Sequence, residues 1–568
     1  MIAQGIALGN IIDVNPKAPT GRTSAPRWGF GRNVRNDSQG VALGFRRLAR
    51  WATKRERFTT KHGSTVTNSQ TRTVLASPAA AGYIGGMDAK PATRRRWLSF
   101  NLRSLFVCVT LLAIGIAGLA RERNQSRREQ LIVETLGQQI ENAELVARFD
   151  SEPVTSCFGS YRREQEGWRK LLRETLGPRV LEISFDREHG RDIAPLAGLT
   201  SIEMLDFEGT QVKDLTPIAA LVSLRQLRLS HSQVRSLTPI ASLVNLQSLS
   251  FGDTQIIDLA PLARLTNLTT LVANRTKVID LTPLAKLAAL RLLNLNHTPI
   301  GDLSPIASVN ALQSVYVDHT LVSDLTPLVV RVHLHSLSLQ ATRVTDFSPL
   351  ATLHGLRDVD LSETDVCDLS VLSNLTNLTS VSIERTKVRD LAPLSRLANL
   401  TWLVLDGAPI SDLTALAWLT NLEYISLKQI PVTDLWPLGG LKNVHIIWLD
   451  DTPVSDLAPL IGYPELETLS LARTRVSDLR PLEGLSSLRE LSLDGTPVAD
   501  LTPLAGLANL ESLSLAGTQV VDLSPLAGLK KLEKLNICKL KVSDEQVAKL
   551  QRALPNCKIE PAEASSVE

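Results

Sequence analysis

Four groups of side chains in this 568-residue sequence have types and spacings that could do chemistry. His297 and His319 stand 22 residues apart with Asp318 beside the second, an imidazole pair that could hold a transition metal if further ligands converged. The plainer reading is a pair of solvated loop histidines. No Cys-x-x-Cys or His/Cys cluster points to zinc, so neither a metal nor a cofactor is expected. Asp358, Asp360, Glu363, Glu384 and Asp406 form an acidic stripe. Paired carboxylates act as general acid and base only where a cleft shifts their pKa values, and an open face offers little of that. The stripe therefore reads as solubilising, or as complementary to a basic partner. Trp402, Val404, Tyr424, Ile446 and Trp448 make the third group, bordered by Asp406, Lys428 and Asp450. Exposed aromatics rimmed by charge are the usual chemistry of a binding hot spot, against the bland reading that a drifting repeat tolerates an occasional aromatic. The cysteines are the fourth group. Cys157, Cys367, Cys538 and Cys557 have no evident activating partners, and Cys108 lies in an apolar run. A Cys538–Cys557 disulfide is left open by spacing alone. No phosphate loop, His-Glu-x-x-His or Gly-x-Ser-x-Gly is present, so catalysis has no support and the chain is read as non-enzymatic.

What places these groups is a repeat. Asp-Leu-x-Pro-Leu-Ala-x-Leu begins at residue 192 and returns every 22 residues, without insertion, to residue 522. Its first residue is Asp except at Ser236, and its Pro is replaced only by Val371 and Ala415. Such self-similarity marks a solenoid and overrides any division of the length into unrelated globular domains. In the unit Leu510–Lys531 the alternating L-x-L core predicts a short strand. Leu510, Leu513, Leu515, Val520, Leu523, Leu526 and Leu529 must then point inward. The Asp can accept a backbone N–H at the start of the following turn. Pro three residues later falls in a first turn with no donor to lose, so the opposite wall is a short helix or 3₁₀ turn. The third, fifth and seventh positions of each unit face outward on the strand side. There they are mostly Ser, Thr, Asp, Glu, Asn or Gln, except across the three units that carry Trp402 to Trp448. With strands about 4.8 Å apart, those aromatics should form one apolar patch roughly 10 Å long. Trp418 and Trp436 fall on the convex turn side.

The period and the Asp-Leu-x-Pro-Leu motif resemble the internalin-type leucine-rich repeats of bacterial surface proteins, over about residues 180–557. The resemblance implies an α/β solenoid: an arc of parallel concave strands with short helical or 3₁₀ convex turns. One departure is that the family's Asn after the strand is Thr in most units, among them Thr210, Thr254, Thr276, Thr298 and Thr518. A Thr hydroxyl can bond the adjacent coil but lacks the amide's paired donor and acceptor. The solenoid spans 180–541. An amphipathic helix over 164–176, carrying Trp168, Leu171 and Leu172, caps its start and leads into a strand over 180–185. Ser543-Asp544-Glu545-Gln546 has the form of a capping box opening a C-terminal cap, 542–561, followed by a flexible tail, 562–568.

The whole-chain charge of +3 is a cancellation. Residues 1–97 hold 17 Lys/Arg against four acids, whereas residues 130–568 hold 39 against 52. Between them Ser104–Ala120 is 17 residues without a charge, or 23 counted from Leu98 with only Arg103 interrupting. As a helix these runs measure about 26 and about 35 Å, bracketing a hydrocarbon core of roughly 30 Å. Residues 98–120 are therefore read as an N-terminal transmembrane signal anchor. Residues 121–179 form a stalk and N-terminal cap, helical over 121–148. Arg94-Arg95-Arg96 and the basic leader favour an inside N-terminus and an extracytoplasmic solenoid. Cleavage after Gly118-Leu119-Ala120, or twin-arginine export through Thr93–Leu98, are the processing alternatives. The leader lacks amphipathic periodicity and interleaved stacking aromatics, so no nucleic acid is expected. Met87 is a candidate true start.

These features imply a membrane-anchored, non-enzymatic leucine-rich-repeat protein that binds a protein or surface polymer on its concave face. A cytoplasm-facing scaffold is the principal alternative and an enzyme with an unrecognised site a distant one.

Overall fold

The structure is a computed structural model and describes residues 102–139, 146–149, 180–185, 192–329 and 331–560. The leader 1–97, the cap helix expected at 164–176 and the tail 562–568 lie outside these residues. Helix α1, Leu102–Gln139, takes in residues 102–120 of the expected anchor. Among the described residues, no helix is long and apolar enough to cross a membrane. The stalk is helical to Gln139. Val146–Phe149 forms strand β1 instead, antiparallel to β2, Val180–Ser184. A short Val-Ala-Arg-Phe segment suits a pleated strand, and β2 would otherwise present an unpaired edge.

From β2 onward each coil contributes a strand and a turn. Strands β3 to β18 run from Met204–Asp206 to Lys534–Asn536, and β19 is Lys558–Glu560. With β2 they make 18 parallel strands alternating with 3₁₀ turns. The pairing of β3 to β18 is in register from coil to coil, as in Trp402↔Tyr424↔Ile446. The core is a set of columns, one residue per coil. All seven inward positions expected in the last full unit, Leu510 to Leu529, are at most 1% exposed. A coil that buries only about seven aliphatic side chains owes its stability to the neighbours that share its core.

Local polar groups hold each coil in shape. Asp214 stands one residue before the cap of its turn, and its Oδ1 accepts the backbone N–H of Thr216 at 2.8 Å. Ser236 does the same through its hydroxyl, accepting from Thr238 at 3.2 Å. The Thr after each strand bonds within its own coil rather than to the next: Thr254 Oγ1 donates to the carbonyl of Phe251 at 2.7 Å and Thr518 Oγ1 to that of Leu515 at 2.8 Å. A single hydroxyl satisfies the first carbonyl after the strand and needs no amide. Asn does appear at another position, just ahead of the first Leu. There Asn245, Asn267, Asn377, Asn399, Asn421, Asn443 and Asn509 each donate to a carbonyl 23 residues back, at 2.7–2.9 Å. Ser543 caps helix α2, Asp544–Ala553, accepting from Gln546 N at 3.4 Å, but the return bond of a capping box is not made, since Gln546 Oε1 has no partner among the described residues.

The residue before each of these Thr positions has a positive φ, from Gly209 to Lys539, and twelve of the sixteen are not glycine. The left-handed conformation costs an L-residue about 1–2 kcal/mol. Ala341, at φ 53, has no polar side chain to offset it. Ala341→Gly is expected to stabilise the solenoid by about 1 kcal/mol, read as a higher denaturation midpoint. An unchanged or lower midpoint would show that the strain is relieved elsewhere.

Candidate functional site

The expected concave patch is carried by β12 (Trp402–Val404), β13 (Tyr424–Ser426) and β14 (Ile446–Trp448), which pair in register. Alternation sends the first and third residue of each strand to the concave face and the middle one, Leu403, Ile425 or Ile447, into the core. The rings form a ladder. Trp402 and Tyr424 stack with centroids 3.5 Å apart and planes 5° from parallel, and Tyr424 meets Trp448 edge-on at 5.2 Å and 78°. Lys428 Nζ lies 3.8 Å from the Trp448 ring centroid, a cation–π contact.

This differs from an open aromatic patch. Tyr424 is only 3% exposed and Trp448 9%, while Trp402, Val404 and Ile446 are half-buried. Trp402 and Tyr424 hold the same position on adjacent strands and stack, and Trp448, opposite Ser426, packs edge-on against Tyr424, so the three cover one another. Trp418 and Trp436, on the 3₁₀ wall as expected, are 70% and 65% exposed.

The bordering acids have structural duties that sequence reasoning missed. Asp406 Oδ1 accepts from Ser426 Oγ at 2.5 Å and from Lys428 N at 2.9 Å. Asp450 takes Ser470 Oγ and, at 2.9 Å, Ala472 N. Asp494, outside the patch, makes the same clamp with Ser514 at 2.5 Å and Ala516 at 2.8 Å, and Asp318 makes it with Ser338 and Gln340. The signal was an Asp followed 20 residues later by Ser, visible once the columns are aligned. Asp406 and Asp450 thus fix one coil on the next and leave Lys428 as the charged group turned onto the rings.

The open face does shift its carboxylates, contrary to the expectation from sequence. Burial pushes Asp318, Asp358 and Asp360 up to about 6, with Asp318's charge adding to the effect on Asp360. Burial also raises Glu384, Asp406 and Asp450. Glu363 and Glu384 meet Arg385 at 3.4 and 3.2 Å. These folded-state values exceed the unfolded ones, so between the two the native state binds more protons and stability falls as pH rises. Denaturant unfolding is expected to be harder at pH 5 than at pH 7, by on the order of 1 kcal/mol for each of the three carboxyls at about 6. The turn aspartates act oppositely: hydrogen bonds from Thr216 and Thr282 hold Asp214 and Asp280 below the usual range. Their contribution is present above the unfolded pKa and is lost as pH falls through the folded value. Stability that declined steadily from pH 7 to pH 5 would contradict this assignment.

His297 and His319 come together, their rings stacked 4.3 Å apart and 9° from parallel. Burial first, then His319 and Arg275, lowers the His297 pKa. Asp318, the remaining member of that trio, is held by Ser338, Gln340 and Asn296. No group of three or more His, Cys, Asp or Glu that could hold a metal occurs among the described residues. Cys538 and Cys557 are not joined in a disulfide.

A family model for leucine-rich repeats in two copies matches residues 464–506. No curated protein matches the sequence. Among solved structures, a leucine-rich-repeat protein of Leptospira interrogans is similar at 20% identity and a TM-score of 0.58, over 66% of this chain and 100% of that one. An internalin of Listeria monocytogenes is 25% identical over 62% of this chain and 94% of its own, with a TM-score of 0.43. The leucine-rich-repeat ectodomain of a plant membrane receptor kinase from Arabidopsis thaliana, solved in complex with Casparian strip integrity factor 2, matches at 16% identity and a TM-score of 0.53. That match covers 64% of this chain and 50% of that one. The chain is a leucine-rich-repeat protein. It shares its fold with the Leptospira repeat protein.

Proposed function

We propose that this chain is a membrane-anchored binding protein whose concave face engages a protein or surface-polymer partner at the Trp402–Tyr424–Trp448 ladder. The observation that carries the reading is the ladder itself: three aromatic rings clustered on a mostly polar face, braced by one another, with the Lys428 cation over the last ring. A ring already held in place loses little freedom on contact, which lowers the cost of binding. Tyr424 is the pillar. The exposed parts of Trp402, Val404 and Ile446 and the Lys428 head supply the contact surface, and Asp406 and Asp450 set its border. Interface residues that dominate affinity cost at least about 2 kcal/mol when truncated, roughly 30-fold in Kd. The plant receptor ectodomain solved with a bound factor supports a binding role for this architecture. Repeat modules of this type are usually non-enzymatic.

The same reading places the anchor at residues 98–120, with the N-terminus inside and the solenoid extracytoplasmic. It rests on the length of the apolar run and the excess of basic residues before it. Protease added to intact cells should degrade the solenoid. Protection of the solenoid until the membrane is opened would favour the cytoplasm-facing scaffold.

A further inference from the structure

The residues just ahead of the strands form a column along one edge of the sheet. Each hands its carbonyl to the next: Arg357 N donates to His335 O at 2.8 Å and Thr379 N to Arg357 O at 2.7 Å. Arginines in this column pair with acidic column neighbours where they have them. Arg225 meets Glu203 at 3.5 Å, and Arg489 meets Glu467 at 3.9 Å and Glu511 at 2.7 Å. Arg357 has His335 on one side and Thr379 on the other, and it makes no ion pair among the described residues. Asp358, next in the chain, is buried and accepts the Thr379 hydroxyl at 3.3 Å.

A cleft opens beside Arg357. A second column, two residues earlier in each coil, carries His333, Gly355, Asn377 and Asn399. A Cβ on Gly355 would come within 2.5 Å of the Val332 carbonyl, so this position admits only glycine and leaves a gap in the column. The resulting space, about 420 Å³, is lined by His335, Gly355, Arg357, Asn377, Thr379 and Asn399. One N–H of each of Asn377 and Asn399 is bonded to His354 O and Thr376 O, which holds these two side chains as walls with a second N–H to spare. The cleft's donors to a ligand are led by the Arg357 guanidinium and the His335 ring, with the second amide N–H of Asn377 and of Asn399 beside them. Burial lowers the His335 pKa, and the nearby Arg357 and His333 lower it further, which marks a locally positive corner on an acidic solenoid.

We propose that this cleft is an oxyanion site, in which Arg357 grips a carboxylate or phosphate group in bidentate fashion and His335 supplies a further donor. The site is separate from the aromatic ladder and does not depend on it. Trp402 N donates to Thr379 O at 3.0 Å, so a partner lying on the ladder could also reach the cleft with an acidic group.

Isothermal titration of the full chain with inorganic phosphate and, separately, acetate, at constant ionic strength in chloride, tests this. Saturable binding of at least one anion is expected, weakened at least tenfold in Arg357→Gln and partly retained in Arg357→Lys. Arg291→Gln is the control, because Arg291 occupies the same column between Thr269 and Gln313. Arg357 is exposed, and thermal melts check that the variants fold alike. Preference for phosphate identifies a phosphorylated partner and preference for acetate a carboxylate. Absence of binding of both anions by the unaltered chain overturns the proposal, as does equal loss in the Arg357→Gln and Arg291→Gln variants.

Discussion

Arg331→Leu is expected to make the solenoid more stable, by about 1–3 kcal/mol in denaturant unfolding. Arg331 stands in a core column that is Leu in most coils, among them Leu221, Leu243, Leu265, Leu287, Leu353 and Leu375. It is 5% exposed, and its guanidinium donates to Val309 O, to Ile306 O at 2.8 Å and to Pro327 O at 3.3 Å, with no carboxylate as partner among the described residues. Three neutral carbonyls compensate a buried charge less well than water does, and burial disfavours the charged form. Regular coils show what restoring leucine allows. There the carbonyl equivalent to Val309 O accepts the N–H three residues ahead, as Leu221 O does from Leu224 at 2.9 Å. Tyr463 fills the same column with a neutral group, its hydroxyl donating to Leu438 O. Destabilisation of Arg331→Leu by more than about 1 kcal/mol would mean that the guanidinium braces coils which leucine cannot hold.

Within the aromatic ladder, stability and binding should separate by residue. Tyr424→Ala removes a buried ring with an aromatic partner on either side and is expected to cost about 3–5 kcal/mol, like other large-to-small core changes. Trp402 is half-buried at the end of the stack, so Trp402→Ala should cost roughly 1 kcal/mol of stability while removing contact surface for a partner. Denaturation midpoints of the two variants, measured side by side, decide it. Equal losses would mean that Trp402 is as much a structural element as Tyr424, and the binding role would lose its basis.

Much of the fold was legible because a 22-residue period leaves one answer for each position. Leu510 to Leu529 had to converge, Asp214 had to bond the start of its turn, and Ser543 had to cap a helix. Less legible were features that depend on side chains in three coils at once. Trp402, Tyr424 and Trp448 could be placed on one face from alternation, but not their mutual burial, which follows from Trp448 turning edge-on to the stacked Trp402–Tyr424 pair. Asp406 and Asp450 read as a charged rim because their clamps to Ser426 and Ser470 cross from one coil to the next. The shifted pKa values of Asp318, Asp358 and Asp360 come from packing on the concave face, which residue types alone do not report. The strand at Val146–Phe149 was read as helix because its pairing partner, Val180–Ser184, lies across a long stretch of chain.

The concave ladder as partner interface is tested most directly by a photo-crosslinking amino acid placed at position 402 and, separately, at position 514 of the same face, in cells that make the protein natively. Irradiation is expected to give one discrete adduct from position 402, identifiable by mass spectrometry, and none from position 514. Equal labelling from both positions, or an adduct from 514 alone, would contradict the assignment of the ladder as the binding surface.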